Sequence, residues 1–200
     1  YHIDIDNQYI DGTKLEANAN KYKFVWNPKS YHKKLDSKIK DLINIMNYSY
    51  ENTDYITAKE FNELIINYAN INNIDYYDIP QGKGKRLTVS QRIIKTGYEY
   101  LNKLIEYEEK ERICGEERNS YYKTDKDATA MVLKEDYYSK LSYDFHAAYN
   151  TQVIVSSGLI TMYGVFQNRD HQNTLIPMLE RYKKGYGNYP TNLCGDSGYG

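Results

Sequence analysis

The sequence has little that would hold it in a membrane or crosslink it through disulfides. No apolar run in the 200 residues approaches the ~20 that a membrane span needs. The N-terminus also lacks the basic-then-apolar pattern of a signal peptide. Only two cysteines are present, Cys114 and Cys194, and neither has the partner spacing of a zinc site or a disulfide framework. These absences predict a cytoplasmic protein with reduced thiols and no membrane partner.

The chain also lacks a marked excess of charge of either sign. It has 26 basic and 27 acidic residues, for a net charge of -1. A free-standing DNA-binding module is usually basic, so this balance weighs against that class. It leaves room for a nuclease core, in which catalytic carboxylates offset the basic residues around them.

Tyrosine is the residue present in unusual excess, at 24 copies. Asparagine, isoleucine and lysine are abundant too, and this mixture is typical of the codon usage of an AT-rich genome. The functional alternative is base stacking by exposed aromatic side chains. The single tryptophan, Trp26, is predicted to be packed core rather than a residue that stacks on DNA.

Apolar periodicity divides the chain into three regions. Residues 1–29 alternate apolar and polar positions and contain a predicted strand. Residues 30–120 show the spacing of three charged helices, the second of which begins with a capping box at Thr57 and Glu60. Residues 121–200 form the third region. The helical stretch therefore predicts an insertion that interrupts a second kind of fold.

The third region carries its own order of elements. Its first part, to about residue 145, is polar and irregular. Two β-branched runs follow and are joined by a turn at Ser157 and Gly158. A helix comes next, with Pro177 predicted in its first turn, and then a short buried strand that ends at Asp196. Without the insertion the order is β-β-β-α-β, which predicts an α/β fold with a mixed sheet and a large helical insertion after the first strand.

Two acidic residues stand at informative positions. Asp11 lies inside the first predicted strand, and Asp196 lies at the tip of the last one. Each acid taken alone fits a strand-end aspartate that accepts hydrogen bonds from turn N–H groups. If the two strands are neighbours, the carboxylates repel each other, and a divalent cation relieves that repulsion. Whether the strands are neighbours is not visible in the residues themselves.

Four stretches resemble the DDE transposases of bacterial insertion sequences, in the order found in that family. The longest is YIDGTKLEANANKYKFVW, which carries Asp11, and the last is LCGDSGYG, which carries Asp196. Between them, TDKDATAM is similar to a TDPDA-type segment and AAYNTQVIV to a GYNxQ strand. The chain departs from these patterns at Lys126, in place of Pro, and at Ala148, in place of Gly. The first departure predicts a looser loop.

The resemblance implies an RNase H-like fold in which the first and fourth strands are adjacent. Asp11 and Asp196 then become the catalytic, metal-binding residues, with two Mg²⁺ or Mn²⁺ ions as cofactors. The family's third acid, a Glu on a later helix, has no counterpart before Gly200. The chain is therefore expected to be a partial catalytic domain that is inactive alone. The implied reaction is cleavage and transfer of double-stranded DNA, by a homo-oligomer assembled on that DNA.

Further residues are assigned more specific expectations. Asn150 is expected to orient a metal-bound water, and Asp127 to support a turn near the site. The GKGKR loop, Gly82 to Arg86, is predicted either to be solvated or to contact the DNA backbone. The basic residues considered for DNA contact are Lys14, Lys21, Lys23, Lys83, Lys85, Arg86 and Arg169.

Two alternatives to a transposase stay open at this point. One is an RNase H-like nuclease that cuts DNA without joining strands. The other is a truncated remnant that lacks activity and only binds DNA or a partner.

Overall fold

The computed structural model describes residues 4–50, 54–82, 84, 86–133 and 144–200. The chain divides into two compact units. One is continuous, Asn27–Ile113, and the other combines Tyr1–Trp26 with Cys114–Gly200. The helical unit therefore ends before the boundary predicted at residue 120, and the residues from Cys114 onward belong to the unit that contains the sheet.

The helical unit packs three helices around one apolar core. They are α1 (Pro28–Ile45), α2 (Ala58–Ile71) and α3 (Val89–Cys114). Their buried faces repeat at helical spacing, as the sequence predicted. The most deeply buried members are Ile39, Ile43, Ile56, Phe61, Ile65, Ile94 and Leu104. Within the described ranges, no helix is both long enough and apolar enough to cross a membrane.

The second unit is an α/β structure with a mixed sheet. Its elements in chain order are β1 (Asn7–Glu16), β2 (Phe24–Trp26), β3 (Ser120–Tyr122), β4 (Thr129–Met131), β5 (His146–Ser156), β6 (Leu159–Phe166), α4 (Gln172–Tyr186) and β7 (Asn192–Gly195). The sheet order is β4-β5-β1-β7, and β6 pairs with β5 as well. A separate two-stranded sheet joins β2 to β3.

The long strands of the main sheet are antiparallel to their neighbours except for β7, which runs parallel to β1. β5 runs antiparallel to both β1 and β6, and the β5–β6 hairpin turns at Ser157 and Gly158, both with positive φ. Positive φ at the two turn residues matches the twist of a tight hairpin. β7 runs parallel to β1, and α4 lies between β6 and β7 in the chain. The long strands therefore follow the predicted β-β-β-α-β order.

The structure corrects three expectations for residues 121–200. The stretch predicted to be irregular contains β4 and most of β3, and every residue of these two strands is buried. Pro177 lies inside α4 rather than in its first turn, because the helix already starts at Gln172. β7 was predicted to be buried, yet only Leu193 is partly covered, because β7 pairs on one side only among the described strands.

The two faces of the main sheet have different surroundings. Helix α4 covers one face, where Met178 and Tyr182 pack on Ile10 and Ile154. On the opposite face several large apolar side chains stay exposed. They are Tyr9, Leu15, Ile160, Tyr163 and Val165. This asymmetry means that alternate residues of β1 point either into a packed core or into open space.

The capping box gives a direct test of the helical unit. Thr57 Oγ1 accepts a hydrogen bond from Glu60 N at 3.3 Å, and Glu60 Oε2 accepts one from Thr57 N at 2.9 Å. The box is present as the sequence predicted. We expect Thr57→Ala to destabilise this unit by about 1 kcal/mol, because the first turn of α2 loses its side-chain acceptor.

Urea unfolding followed by circular dichroism measures this effect. Thr57→Ser is the matched control, because it keeps the hydroxyl group and should unfold near the wild-type midpoint. If the alanine and serine variants unfolded together, the cap would not contribute to stability.

Candidate metal centre

The parallel pairing of β1 with β7 brings the two predicted catalytic acids together. The paired residues run from Asn7 opposite Asn192 to Ile10 opposite Gly195. Asp11 and Asp196 are the next residue on each strand. Neighbouring strands are ~4.8 Å apart, so the two backbones stay close at this point.

Both carboxylates point to the same side of the sheet. Ile10 is buried beneath α4, and a Cβ on Gly195 would lie 2.9 Å from Ile10 Cγ2, so these two positions face that core. Side chains alternate along a strand, and Asp196 keeps an extended backbone with φ -74 and ψ 174. One residue further on, Asp11 and Asp196 therefore both face the opposite, exposed side.

Each carboxylate makes one short local hydrogen bond. Asp11 Oδ1 accepts from Gly12 N at 2.7 Å, and Asp196 Oδ1 accepts from Gly198 N at 2.9 Å. The second bond caps the short turn Ser197–Tyr199 that follows β7. Across the described ranges, the Oδ2 atom of each carboxylate accepts no protein hydrogen bond. These oxygens are available to a ligand on the exposed side.

Both carboxylates affect the pKa of Tyr199. Burial, together with the negative charges of Asp11 and Asp196, raises the pKa of Tyr199 to about 12. Its hydroxyl group donates to Gln152 Oε1, and its ring lies edge-on to His171 with centroids 5.6 Å apart. This tyrosine was not among the predicted site residues, although it stands within the LCGDSGYG stretch.

Gly12 is the point at which the acidic strand meets this polar cluster. A Cβ on Gly12 would lie 2.6 Å from Gln152 Oε1 and 2.5 Å from His171 Nδ1. Both distances are too short for a carbon atom, so the position accommodates only glycine while these side chains keep their places. The signal in the sequence was the glycine directly after Asp11.

Asn150 belongs to the polar cluster and not to the carboxylate face. Its Oδ1 accepts from Gln152 Nε2 at 2.6 Å, and its Nδ2 donates to Asn168 O at 3.0 Å. Asn150 is fully buried and lies on the α4 side of β5, whereas Asp11 faces the other side. Asn150 anchors the connection between β6 and α4 through Asn168 O, and its expected role in orienting a metal-bound water stays a prediction.

Asp127 lies in the turn before β4, away from the carboxylate pair. Its Oδ1 accepts from Gln167 Nε2 at 3.0 Å. Nearby Thr129 pairs with Ala148, which pairs with Glu16. Glu16 is five residues beyond Asp11, or about 16 Å at ~3.3 Å per residue. The expectation that Asp127 supports a turn fits this geometry, but the turn is not beside Asp11.

A buried arginine holds the TDKDATAM segment. Arg118 Nη1 donates to Asp127 O at 3.0 Å and to Ala128 O at 3.2 Å, and Arg118 Nη2 donates to Lys126 O. Burial lowers the pKa of this arginine, which nonetheless stays charged at neutral pH. The loop around Lys126 is therefore fixed by its carbonyl groups, and a proline is not needed to order it.

The residues considered for DNA contact have varied surroundings. Lys14 is half-buried, its Nζ donates to Val132 O at 3.4 Å, and burial lowers its pKa against the opposing effect of Asp170. Arg169 donates to Asn119 Oδ1 and stacks on Trp26. Lys21 and Lys23 are exposed in the sheet unit, and Arg86 is exposed in the helical unit. Lys83 and Lys85 lie outside the described residues.

The arrangement at Asp11 and Asp196 suits a hard divalent cation. Mg²⁺ prefers oxygen ligands and keeps several waters, and one or two carboxylates with substrate phosphates suffice to bind it. In the described part of the chain, no group of three or more His, Cys, Asp or Glu side chains forms a metal site. A pair of carboxylates such as Asp11 and Asp196 can hold such an ion only together with water or phosphate oxygens.

No family model, curated protein or solved structure matches this chain.

The close approach at Gly12 yields a stability prediction. We expect Gly12→Ala to destabilise the sheet unit by ~1–3 kcal/mol, because the new methyl group displaces Gln152 or His171 from a filled polar cluster. Thermal unfolding measures the loss of stability, and amide hydrogen exchange in β1 shows whether that strand is affected. Gly200→Ala is the control, since a Cβ there meets nothing within 4 Å. Equal stability of the two variants would contradict this account of Gly12.

Proposed function

We propose that this chain is part of the catalytic domain of a DDE transposase with an RNase H-like fold. In this proposal Asp11 and Asp196 bind two Mg²⁺ or Mn²⁺ ions that promote cleavage and transfer of DNA strands. One observation carries the proposal most directly. β1 and β7 pair in parallel and in register, so that two carboxylates from opposite ends of the chain reach the same open face.

The arrangement of the sheet supports the RNase H-like assignment. Three long strands, β6, β5 and β1, lie side by side and antiparallel, and β7 adds to β1 in parallel after the connection through α4. The resemblance to the transposases implied the same adjacency of first and fourth strands. The helical unit, Asn27–Ile113, is inserted between β2 and β3 rather than directly after β1.

The four resembling stretches also take positions around one sheet. The Asp11 stretch forms β1 and β2, TDKDATAM leads into β4, AAYNTQVIV forms most of β5, and LCGDSGYG forms the end of β7 and the turn after it. Stretches far apart in sequence are thus neighbours in the fold. This placement is what a family resemblance predicts, because motif residues of one catalytic domain gather around one site.

The chemistry of the proposal needs no nucleophile from the protein. When bound, divalent cations would stabilise the attacking and leaving oxygens of a phosphodiester transfer. Asp11 and Asp196 would hold them through the Oδ2 atoms that face open space. The attacking group would be water in the cleavage step and a DNA 3′-hydroxyl in the joining step. The exposed face gives a DNA backbone access to both carboxylates.

A third carboxylate completes the site in the family that this chain resembles. We assign none of the described residues to that role. We therefore expect metal binding by this chain, but no DNA cleavage by it alone. Tests of binding and tests of activity accordingly need different proteins.

Metal binding can be tested on the chain itself. We expect Mn²⁺ to broaden the amide resonances of Gly12 and Gly198, because both are hydrogen-bonded to the metal-binding carboxylates. Asp11→Asn and Asp196→Asn should each abolish the broadening, while Asp127→Asn should leave it unchanged. Broadening that survives in both carboxylate variants would reject the site.

Activity is tested on the complete gene product. Asp11→Asn or Asp196→Asn should lower the rate of strand cleavage by about 10³-fold or more, since cation stabilisation of the transition state is worth several kcal/mol. Binding of the element's end should be retained, and the exposed Asp78→Asn should be fully active. Cleavage without any joined product would favour a nuclease, and cleavage that survives both substitutions would reject the proposal.

A further inference from the structure

A cluster of exposed aromatic side chains lies on and beside β2, away from the carboxylate pair. Tyr22 is 82% exposed, Phe24 49%, Trp26 38% and Phe145 48%. β2 alternates strictly, burying Val25 and exposing Phe24 and Trp26 on one face. We call Tyr22, Phe24, Trp26 and Phe145 the β2 aromatic surface. Trp26 was predicted to be packed core, and its exposure corrects that expectation.

The β2 ribbon is rigid enough to present these rings in fixed positions. Phe24 and Trp26 pair with Tyr122 and Ser120 of β3, both of which are buried. The ladder continues one step further, because Lys123 N donates to Lys23 O at 2.8 Å. Phe24 and Trp26 therefore stand on a paired backbone, which reduces the entropy lost when a ligand binds.

Cationic side chains are interleaved with the rings. The guanidinium group of Arg169 lies 5.2 Å from the ring centre of Trp26 and 5.7 Å from that of Phe145. Its hydrogen bond to Asn119 Oδ1 holds it there. Lys21 Nζ lies 5.3 Å from the ring of Tyr22, and Lys23 and Lys123 are exposed on the ribbon. The surface thus combines aromatic rings with positive charge, of which the Arg169 guanidinium is held in place.

This combination discriminates between possible ligands. A DNA duplex would use the cations through its phosphates but would give the rings nothing to stack on, because its bases are already stacked. An apolar protein partner would use the rings but would have to desolvate Arg169 and the lysines. Unpaired nucleotides use both, since each base offers a planar face and each phosphate a negative charge.

We propose that the β2 aromatic surface, with Arg169 and Lys21, binds unpaired nucleotides of a DNA strand. The inference rests on the proposed function, in that a transposase must handle DNA strands that are cut and separated. It goes beyond that function by naming a single-stranded substrate contact outside the metal site. Trp26, Phe145 and Arg169 contact one another, and Tyr22 and Phe24 precede Trp26 at alternate positions of the chain.

The single tryptophan of the chain makes a direct assay possible. Because Trp26 is the sole tryptophan, intrinsic tryptophan fluorescence reports on this surface and on no other. We expect a single-stranded oligodeoxythymidylate of about 12 nucleotides to quench the emission in a saturable way, as a stacked base does. A blunt duplex of the same length should quench it far less. Equal quenching by both, or none by the single strand, would overturn the proposal.

Substitutions test the individual contributions, with affinity measured by the anisotropy of a labelled oligonucleotide. Trp26→Ala should weaken single-strand binding by about tenfold or more, because one stacked base is lost. Tyr22→Ala should weaken it as well, and it should leave folding unchanged because the Tyr22 side chain is highly exposed. Tyr77→Ala, which removes a ring that is 91% exposed in the helical unit, is the matched control and should bind normally. Wild-type affinity in both the Trp26 and Tyr22 variants would reject the surface.

The contributions of the positive charge and of the flat guanidinium group to binding can be separated at Arg169. Arg169→Lys keeps the positive charge but loses the flat guanidinium, so it should reduce quenching while the salt dependence of binding is retained. Lys21→Ala should instead make binding less sensitive to salt, because one phosphate contact is lost. If Arg169→Lys and Lys21→Ala changed the quenching and the salt dependence of binding in the same way, nonspecific charge alone would explain binding. The stacking proposal would then fail.

The test of single-strand binding can fail independently of the test of metal binding. Mn²⁺ broadening at Gly12 does not involve the β2 aromatic surface, and Trp26 quenching needs no metal ion. Single-strand binding that fails while Mn²⁺ binds would overturn this inference and leave the proposed function intact. Quenching that persists with no metal binding would leave a single-strand DNA-binding surface and remove the transposase assignment on which it was built.

Discussion

The candidate site depends on the register between β1 and β7. Side chains alternate along a strand, so a slip of one residue would turn one carboxylate beneath α4 and leave the other in solvent. Contacts at the start of the pairing hold the register. Asn192 N donates to Asp6 O, and Asn192 Nδ2 donates to Asn7 Oδ1, each at 2.8 Å. At the other end, Gly195 packs against Ile10 without room for a side chain.

A buried polar cluster supports the same strand from the α4 side. Gln152 is fully buried and links Asn150, His171 and Tyr199, while Gly12 allows this cluster to approach the backbone beside Asp11. Buried polar groups are costly unless they are hydrogen-bonded, so such a cluster favours one arrangement of its members. It connects β5, the start of α4 and the turn after β7, and thereby limits how far Asp196 can move from Asp11.

Local patterns in the sequence predicted the elements whose cause is local. The helical spacing of α1 to α3, the Thr57 capping box and the two β-branched runs of β5 and β6 all appear as expected. These features depend on residues two to four positions apart, which a sequence displays directly. The short strands β3 and β4 were not predicted, because three residues show too little periodicity to indicate a strand. Their burial results from pairing with β2 and β5, which are distant in the sequence.

By itself, the sequence determined the order of the long strands and helices and the strand positions of Asp11 and Asp196. Four resembling stretches also indicated which family to test. Only the tertiary structure decided that both acids reach one face, that Asn150 lies on the other, and that Trp26 is exposed beside Arg169. The reason is that pairing partners, sheet faces and burial depend on residues far apart in the chain. Local periodicity does not show which distant strand will pair with a given strand.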